Sequence, residues 1–239
     1  MDGRTGPGLR LHPDTYWSCD AVRETKHPEP ALELKSVTFG YHPSSPVFVD
    51  LSLSLPGRGL IMVSGPNGVG KSTFLELCSG SLAPWTGQVR VGGRDARDPQ
   101  SRTARRVCRT DVSLYPSMTV RDHLVFAARC HGTSPGPGLL RAACYGLEPW
   151  LDHAAKELST GNRRKLWLIM CTLGQFTLVI LDEPFNGLDA AGIDLLSAEM
   201  NTWSSRASVA LIAHDPPATV TADTTIILDG RSSPSTGGK

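Results

Sequence analysis

The sequence predicts an α/β fold: a mainly parallel sheet covered by helices, a small antiparallel sheet beside it, and a helical insert. Two apolar patterns support this fold class. Short continuous apolar runs at 60–63, 178–181 and 209–213 are typical of strands buried on both faces. Strict alternation over 47–55 is typical of a half-buried antiparallel strand.

The other elements of the two ends follow from composition and turn signals. Residues 1–30 are rich in Pro, Gly and charge, so we expect a flexible N-terminal extension. Residues 31–55 predict two strands around a turn at 40–46. Residues 87–93 predict a short strand closed by glycines, and 225–228 predicts a last core strand.

The middle of the chain has a different pattern. Residues 95–165 contain helical patches at 120–129 and 139–145, and no run typical of a buried strand, so we predict a mostly helical insert. We expect one folded domain over 31–230 and a disordered Ser/Gly-rich tail at 231–239.

Composition restricts the possible functions. The 239 residues are 40% hydrophobic and 20% charged, as in ordinary soluble proteins. A net charge of +1 gives no global field for nucleic acid. No apolar run approaches the roughly 20 residues that span a bilayer, and we expect no secretory signal. The six cysteines form no C-x-x-C pair, which favours a reduced cytosolic compartment over disulfides or zinc.

A glycine-rich stretch directly follows the first buried run. It consists of Gly65, Pro66, Asn67, Gly68, Val69, Gly70, Lys71, Ser72 and Thr73. It matches the phosphate-binding pattern G-x-x-x-x-G-K-[ST], in which glycines let backbone amides approach an anion. Lys71 is expected to reach the β- and γ-phosphates and Ser72 to ligate Mg²⁺. The alternative, a turn that binds nothing, is disfavoured by the strand–loop–helix context.

Polar side chains follow two later buried runs. Asp182 and Glu183 end the run at 178–181, where ligands bind in open α/β sheets. Asp182 is placed to hold Mg²⁺ and Glu183 to polarise the water that attacks the γ-phosphate. His214 follows the run at 209–213 and is placed to contact the γ-phosphate. The alternatives are an exposed acidic turn and a surface histidine.

A second anion site is indicated in the middle of the chain. Ser159 is a good N-cap for a helix with a buried stripe, and Gly161 lies in its first turn. A capped helix N-terminus with a free hydroxyl can bind a phosphate. The alternative is a simple cap with a basic first turn.

Together, these motifs resemble the ATP-binding subunit of an ABC transporter, over about residues 31–230. Residues 65–73 resemble its Walker A motif. Residues 178–183 resemble Walker B, with Glu183 as the catalytic glutamate. Residues 158–162 resemble the LSGGQ signature.

Three further positions extend the resemblance. Residues 186–189 resemble the D-loop, His214 matches the switch histidine, and Tyr41 fits the aromatic residue that stacks on adenine. Ser159 and Gly161 keep the two signature positions that face phosphate.

The resemblance implies a P-loop NTPase (RecA-like) fold and ATP hydrolysis with ATP and Mg²⁺ as cofactors, catalysed by Glu183, His214 and Lys71. It implies a head-to-tail dimer with a second ATP-binding subunit, identical or different. It also implies a separate membrane permease, which would hold this chain on the cytoplasmic face of the membrane. We expect no nucleic-acid partner, and export of a drug, peptide or lipid.

The chain departs from the family pattern at three positions. Thr160 and Asn162 replace Gly and Gln in the signature, and Thr110 stands where the Q-loop glutamine is expected. These departures leave an alternative open, an ATP-binding regulatory subunit with weak hydrolysis. A non-transport ABC ATPase is a second alternative.

Arginines cluster before the Q-loop position. They are Arg94, Arg97, Arg102, Arg105, Arg106 and Arg109. We interpret them as a solvated basic face. The alternative is contact with permease loops or anionic lipid.

Overall fold

The computed structural model of the protein describes residues 29–229 and 235–237. Within them, the strands in chain order are β1 (Leu32–His42), β2 (Ser45–Leu55), β3 (Gly59–Ser64), β4 (Thr86–Val91), β5 (Arg94–Asp95), β6 (Arg105–Cys108), β7 (Leu178–Asp182), β8 (Ser208–Ile212), β9 (Thr224–Ile227) and β10 (Ser235–Gly237). The α-helices are α1 (Lys71–Ser79), α2 (Ser101–Ala104), α3 (Val120–Cys130), α4 (Gly136–Cys144), α5 (Thr160–Cys171) and α6 (Ala190–Ser204). The predicted extension at 1–30 lies outside the described residues, except for its last two.

The larger sheet carries the core of the protein. Its strand order is β10-β9-β3-β8-β7-β6, with parallel pairing from β9 to β6 and antiparallel pairing of β10 with β9. Leu178 and Ile180 pack with α1 on one face, whereas Val179 and Leu181 pack with α5 and α6 on the other. Burial on both faces explains why β7 and β8 have uninterrupted apolar sequences. The predicted parallel core is confirmed.

The smaller sheet is antiparallel, as predicted, in the order β2-β1-β4-β5. Leu32 pairs with Leu55 and Leu34 with Leu53, so the alternating leucines of both strands share one buried face. The predicted turn at 40–46 is shorter in the structure, because β1 extends to His42 and β2 begins at Ser45.

The prediction that residues 95–165 contain no buried strand was wrong. β6 lies there and forms the edge of the parallel sheet beside β7. Its first two residues, Arg105 and Arg106, concealed the strand because charged residues rarely occupy buried positions. Both are buried, and Arg106 donates to the backbone carbonyls of Leu173 and Gln175 at 2.9 Å each. Burial lowers the pKa of Arg106 to about 10.

The predicted solvated basic face is therefore correct for only part of the arginine cluster. Arg94, Arg97 and Arg102 are exposed. Arg105 and Arg106 are buried, and the guanidinium of Arg109 forms an ion pair.

The helical insert lies against the larger sheet. Its helices α3 and α4 occupy the predicted patches, and two single 3₁₀ turns lie at Glu148–Trp150 and Ala155–Glu157. Thr119 caps α3 by accepting a hydrogen bond from the Asp122 amide, as expected for an N-cap threonine. Leu124 of α3 and Leu166 of α5 belong to the same apolar cluster as Val179. The insert and the sheet thus share one core.

Two observations concern the tail and the membrane. Within the predicted disordered tail, Ser235–Gly237 pair with β9 as strand β10, which departs from that expectation. Among the described residues, no helix combines the length and apolar character needed to cross a bilayer.

Candidate functional site

The predicted phosphate loop, Asp182, Glu183 and His214 lie at the carboxyl edge of the larger sheet, whereas Tyr41 lies on the smaller sheet and Ser159 and Gly161 lie at the start of α5. The glycine-rich loop follows β3, Asp182 ends β7, His214 lies just after β8, and Thr110 lies just after β6. Because these four strands are parallel and adjacent, their carboxyl ends meet at one edge.

The glycines of the loop are required by its backbone. Gly65, Gly68 and Gly70 have φ values of 154°, 79° and 107°. A Cβ on Gly70 would lie 2.5 Å from Val47 Cγ1 and 2.9 Å from Phe48 Cζ. Sequence and packing therefore force a tight loop that ends at the first residue of α1.

The loop leaves the N-terminus of α1 open. Gly70 is the N-cap residue, and it provides no side-chain cap for the first turn. The first amides of a helix have no intrahelical partner and carry the positive end of the helix dipole. An anion can therefore bind these amides without displacing a capping side chain.

Lys71 lies over the same loop. Its Nζ donates to the Gly65 carbonyl at 2.7 Å and to the Pro66 carbonyl at 3.2 Å. Ser72 is exposed, whereas Thr73 is buried and its Oγ1 lies 3.3 Å from the Tyr41 hydroxyl. The Ser72 hydroxyl is thus available to a metal ion, whereas the ammonium group would have to release these carbonyls to reach a phosphate.

Tyr41 is an exposed aromatic residue whose hydroxyl lies 3.3 Å from Thr73 Oγ1 at the end of the loop. The residue is 62% exposed, and its ring packs edge-on against Phe39 at a centroid distance of 5.4 Å. Edge-on packing against Phe39 orients the ring, and its high exposure leaves it open to a planar base.

Asp182 and Glu183 differ in their surroundings. The Oδ2 atom of Asp182 accepts a hydrogen bond from Thr110 Oγ1 at 2.8 Å. Glu183 has a φ of 45°, in the left-handed region that non-glycine residues rarely adopt. Its amide donates to the Ile212 carbonyl at 2.8 Å. Strained backbone of this kind persists only where the surroundings hold it, and it occurs often at functional sites.

The segment that contains Thr110 is also bonded to α1. The neighbouring Arg109 makes a two-pronged ion pair with Glu76 of α1, with N–O distances of 2.7 and 2.8 Å. These bonds lower the pKa of the Glu76 carboxyl. The helix that follows the phosphate loop is therefore tied to the segment at the Q-loop position.

The signature stretch forms the predicted capped helix, α5. The Ser159 hydroxyl accepts from the Asn162 amide at 3.2 Å, and a Cβ on Gly161 would lie 3.1 Å from the Gly187 carbonyl. Lys165 donates to Asp189 at 2.7 Å, which joins α5 to the residues before α6. No bond of Ser159 in the described chain reaches the phosphate loop.

Arg164 is a residue that the sequence analysis missed. It lies in the basic first turn that the sequence offered only as the alternative to an anion site, yet only 3% of its surface is exposed, and it donates to backbone carbonyls at the ends of β6 and β7. The available signal was its position four residues before Leu168, on one stripe of α5.

The structure does not bring every predicted residue into contact. The side chain of His214 is exposed, and no hydrogen bond from its ring is seen among the described residues. Likewise, no group of three or more His, Cys, Asp or Glu side chains in residues 29–229 could hold a metal ion alone. One carboxylate and one hydroxyl nevertheless fit Mg²⁺, which binds proteins through few ligands and completes its shell with phosphates and water.

Comparison with known proteins gives the family. The family model described as "ABC transporter" matches residues 48–186, more than half of the chain. The chain belongs to the ABC transporter family. The matched part of this ABC protein is the family's ATP-binding domain, and such domains are ATPases.

Two relatives agree with this assignment. An ABC transporter ATP-binding protein of Streptomyces coelicolor, RamB, is 36% identical over 84% of this chain. The match spans only 34% of that relative's length. The cytochrome c biogenesis ATP-binding export protein CcmA 2 of Cupriavidus metallidurans is 32% identical, over 70% of this chain and 81% of its own.

A solved structure agrees in fold. A structure described as the ATP-binding subunit of an ABC transporter aligns with a TM-score of 0.79 and 28% identity. The alignment covers 87% of this ABC protein and 90% of that chain. The predicted fold class is confirmed.

Proposed function

We propose that this ABC protein binds ATP with Mg²⁺ at the carboxyl edge of its larger sheet and hydrolyses it to drive a membrane permease. One observation carries the proposal. The open N-terminus of α1 and the carboxylates of Asp182 and Glu183 follow strands of one parallel sheet at the same edge. Phosphoryl transfer requires such positioning and charge neutralisation more than covalent chemistry.

The loop and α1 bind the nucleotide in this proposal. Residues 65–70 and the first amides of α1 surround the phosphates, and Lys71 exchanges its carbonyl bonds for the β- and γ-phosphates. Ser72 and Asp182 hold Mg²⁺, which neutralises phosphate charge when bound. Tyr41 stacks on the adenine.

Glu183 and His214 act on the attacking water. Glu183 orients the water and accepts its proton, a role that requires a carboxylate at the nucleotide edge of the sheet. His214 follows the neighbouring strand and contacts the γ-phosphate. Exposure of His214 in the unliganded chain fits a residue whose partner is the nucleotide.

The second anion site acts on a different nucleotide. Ser159 and Gly161 bind the ATP held by the phosphate loop of a second subunit, in a head-to-tail dimer. Two observations support this arrangement: Ser159 is exposed, and its bonds stay within α5. Mixing two identical or two different ATP-binding chains and measuring ATP-dependent dimerisation tests it.

A surface of the insert is suited to the permease. Tyr115 and Phe126 are 60% and 44% exposed and pack edge-on with ring centroids 6.2 Å apart. Exposed aromatic pairs are frequent anchors of protein interfaces. Contact with a permease there would place this chain on the cytoplasmic face of the membrane. Changing Phe126 to Ser is expected to weaken copurification with the permease while ATP binding stays unchanged.

The proposed direction is export of a drug, peptide or lipid. The name of the Cupriavidus relative includes export. Another relative, at 30% identity, is named as a thiamine import protein of Vibrio vulnificus. Transport by the copurified permease in inside-out vesicles distinguishes the two directions.

The proposed catalytic role is tested with Glu183→Gln. ATP turnover is expected to fall about 100-fold or more, because a positioned base contributes about 10²–10⁴-fold. Nucleotide binding should persist. Glu148→Gln, on an exposed 3₁₀ turn, is the matched control. Wild-type turnover in Glu183→Gln would contradict the assignment.

A regulatory subunit with weak hydrolysis is the second candidate. Thr110 in place of the expected glutamine favours it. The same purified chain distinguishes the two functions, because a regulatory subunit would bind ATP without turnover even when its permease is present.

A further inference from the structure

Arg164 joins the ends of two core strands. Its Nη1 donates to the Arg109 and Thr110 carbonyls at 3.0 and 2.9 Å, just beyond β6. Its Nη2 donates to the Asp182 and Glu183 carbonyls at 3.2 and 2.7 Å, at the end of β7. One planar guanidinium therefore bonds four carbonyls that follow neighbouring strands.

This arginine is unusual in its charge environment. It is 97% buried by surface area, since 3% remains exposed, and it makes no salt bridge with a carboxylate in the described residues. Its Nε has no hydrogen-bond partner there. A buried guanidinium is costly unless its donors are satisfied, so the four carbonyls are what hold it in place.

The bond to Glu183 fixes a strained peptide. Glu183 has a φ of 45°, its amide donates to Ile212, and its carbonyl accepts from Arg164. These two bonds hold the backbone in a conformation that is strained at a non-glycine residue. The direction of the Glu183 side chain depends on that conformation.

The bond to Thr110 fixes a contact with the metal-binding carboxylate. Arg164 holds the Thr110 carbonyl, while the Thr110 hydroxyl donates to Asp182 Oδ2 at 2.8 Å. The side chain of threonine is short, so this contact requires its main chain to stay close to the end of β7. Arg164 supplies that restraint from α5.

We propose that Arg164 is a positioning residue for ATP hydrolysis. It sets the Glu183 carboxylate and the Asp182–Thr110 contact from the helix that carries the signature serine. The catalytic part of this inference rests on the proposed function. Movement of α5 would then change the geometry of the hydrolytic edge directly, through one side chain.

Arg106 provides a matched control. It is also 3% exposed, and its guanidinium also donates to backbone carbonyls, including those of Leu173 and Gln175. Arg106 is the second residue of β6 and therefore lies away from the carboxyl end of that strand. Arg164→Lys and Arg106→Lys therefore remove equally buried guanidiniums. Arg164 bonds carbonyls just beyond the carboxyl end of β6, whereas Arg106 lies near the start of that strand.

The first measurement does not require hydrolysis. Hydrogen exchange of peptides that cover 109–111 and 182–184 is expected to become about tenfold faster in Arg164→Lys and to stay unchanged in Arg106→Lys, since exchange reports local opening. Unchanged exchange in Arg164→Lys would overturn the inference. This result holds whether or not the proposed function is correct.

The second measurement separates positioning from binding. In Arg164→Lys, kcat for ATP is expected to fall about 10- to 100-fold, as misplacement of a reacting group by about 1 Å does. The KM should change less than threefold, and Arg106→Lys should retain kcat. An equal loss of kcat in both variants would show a merely structural role and overturn the inference.

Thr110→Val provides a second variant that is expected to leave the fold intact. The side chain of Thr110 is exposed, so the substitution removes the hydroxyl contact with Asp182 without opening the core. A fall in kcat with Mg²⁺ affinity weakened, measured by Mn²⁺ binding to the nucleotide complex, supports the inference if Arg164→Lys does not fold. Unchanged kcat and metal affinity would overturn it. If the wild-type chain itself does not hydrolyse ATP, that result contradicts the proposed function and not the inference about Arg164.

Discussion

The protein contains two helix N-termini suited to phosphate, and they are built differently. α1 begins after a glycine with φ 107° and has no side-chain cap. α5 begins after Ser159, whose hydroxyl already accepts from the Asn162 amide. The first end is therefore open to a ligand in the isolated chain, whereas the second is partly satisfied by its own side chain.

The two helices are also restrained differently. α1 is joined to the residue before Thr110 by the partly exposed ion pair of Glu76 and Arg109. α5 is tied to the sheet by the buried Arg164 and to the start of α6 by Lys165 and Asp189. In the proposed function, α1 is therefore a fixed binding element, whereas α5 transmits its position to the hydrolytic edge through Arg164.

The largest expected effect is on the α1 side, with Gly70→Ala. The added Cβ would lie 2.5 Å from Val47 Cγ1, and the alanine would have to adopt the positive φ of Gly70. Overpacking and backbone strain together should cost about 3 kcal/mol of unfolding free energy, measured by urea denaturation. Gly68→Ala is the control, because its φ is also positive but no atom lies within 4 Å. An equal cost at both glycines would contradict the packing argument.

Lys71→Ala should produce the next largest effect, on nucleotide affinity. Loss of a charged donor to phosphate is expected to cost about 2 kcal/mol, or about 30-fold in Kd. Binding of fluorescent ATP to the monomer measures it, with Lys35→Ala on β1 as the surface control. A change of Kd below threefold would mean that the ammonium group, which bonds Gly65 in the unliganded chain, does not reach the phosphates.

Ser159→Ala tests the α5 side of the comparison. Loss of the cap should lower the unfolding free energy by about 1 kcal/mol. Nucleotide affinity of the monomer should stay constant, because Ser159 makes no bond to the phosphate loop in the described chain. Ser159→Asn, which keeps a capping acceptor, should restore most of the stability in thermal melts. Weaker monomer binding in Ser159→Ala would argue that both helix ends serve one nucleotide.

The smallest effect concerns the tether of α1 and its pH dependence. Bonds from Arg109 lower the folded-state pKa of Glu76 below its ordinary value of 4.5. The pair therefore stabilises the fold above about pH 4.5, and this stabilisation is lost as the pH falls through the folded pKa. With both side chains partly exposed, we expect less than about 1 kcal/mol. The stability difference between wild type and Glu76→Gln should be constant from pH 7 to 5 and shrink below; a constant difference down to pH 3 would contradict this.

The sequence by itself determined the local elements of the site. The glycine pattern of 65–70 requires positive φ, the apolar runs at 178–181 and 209–213 require burial on both faces, and Ser159 requires a helix start. Each of these depends on residues close in the chain, so spacing and residue type were sufficient. The family resemblance followed from their order.

Only the tertiary structure determined what the charged residues do. The sequence did not predict strand β6, because Arg105 and Arg106 are charged, and it assigned no role to Arg164 beyond a basic first turn of α5. Burial of an arginine depends on carbonyls supplied by distant segments, and no local pattern records which carbonyls meet. The same holds for Thr110: the sequence marked it as a departure, and packing of β6 beside β7 placed its hydroxyl on Asp182.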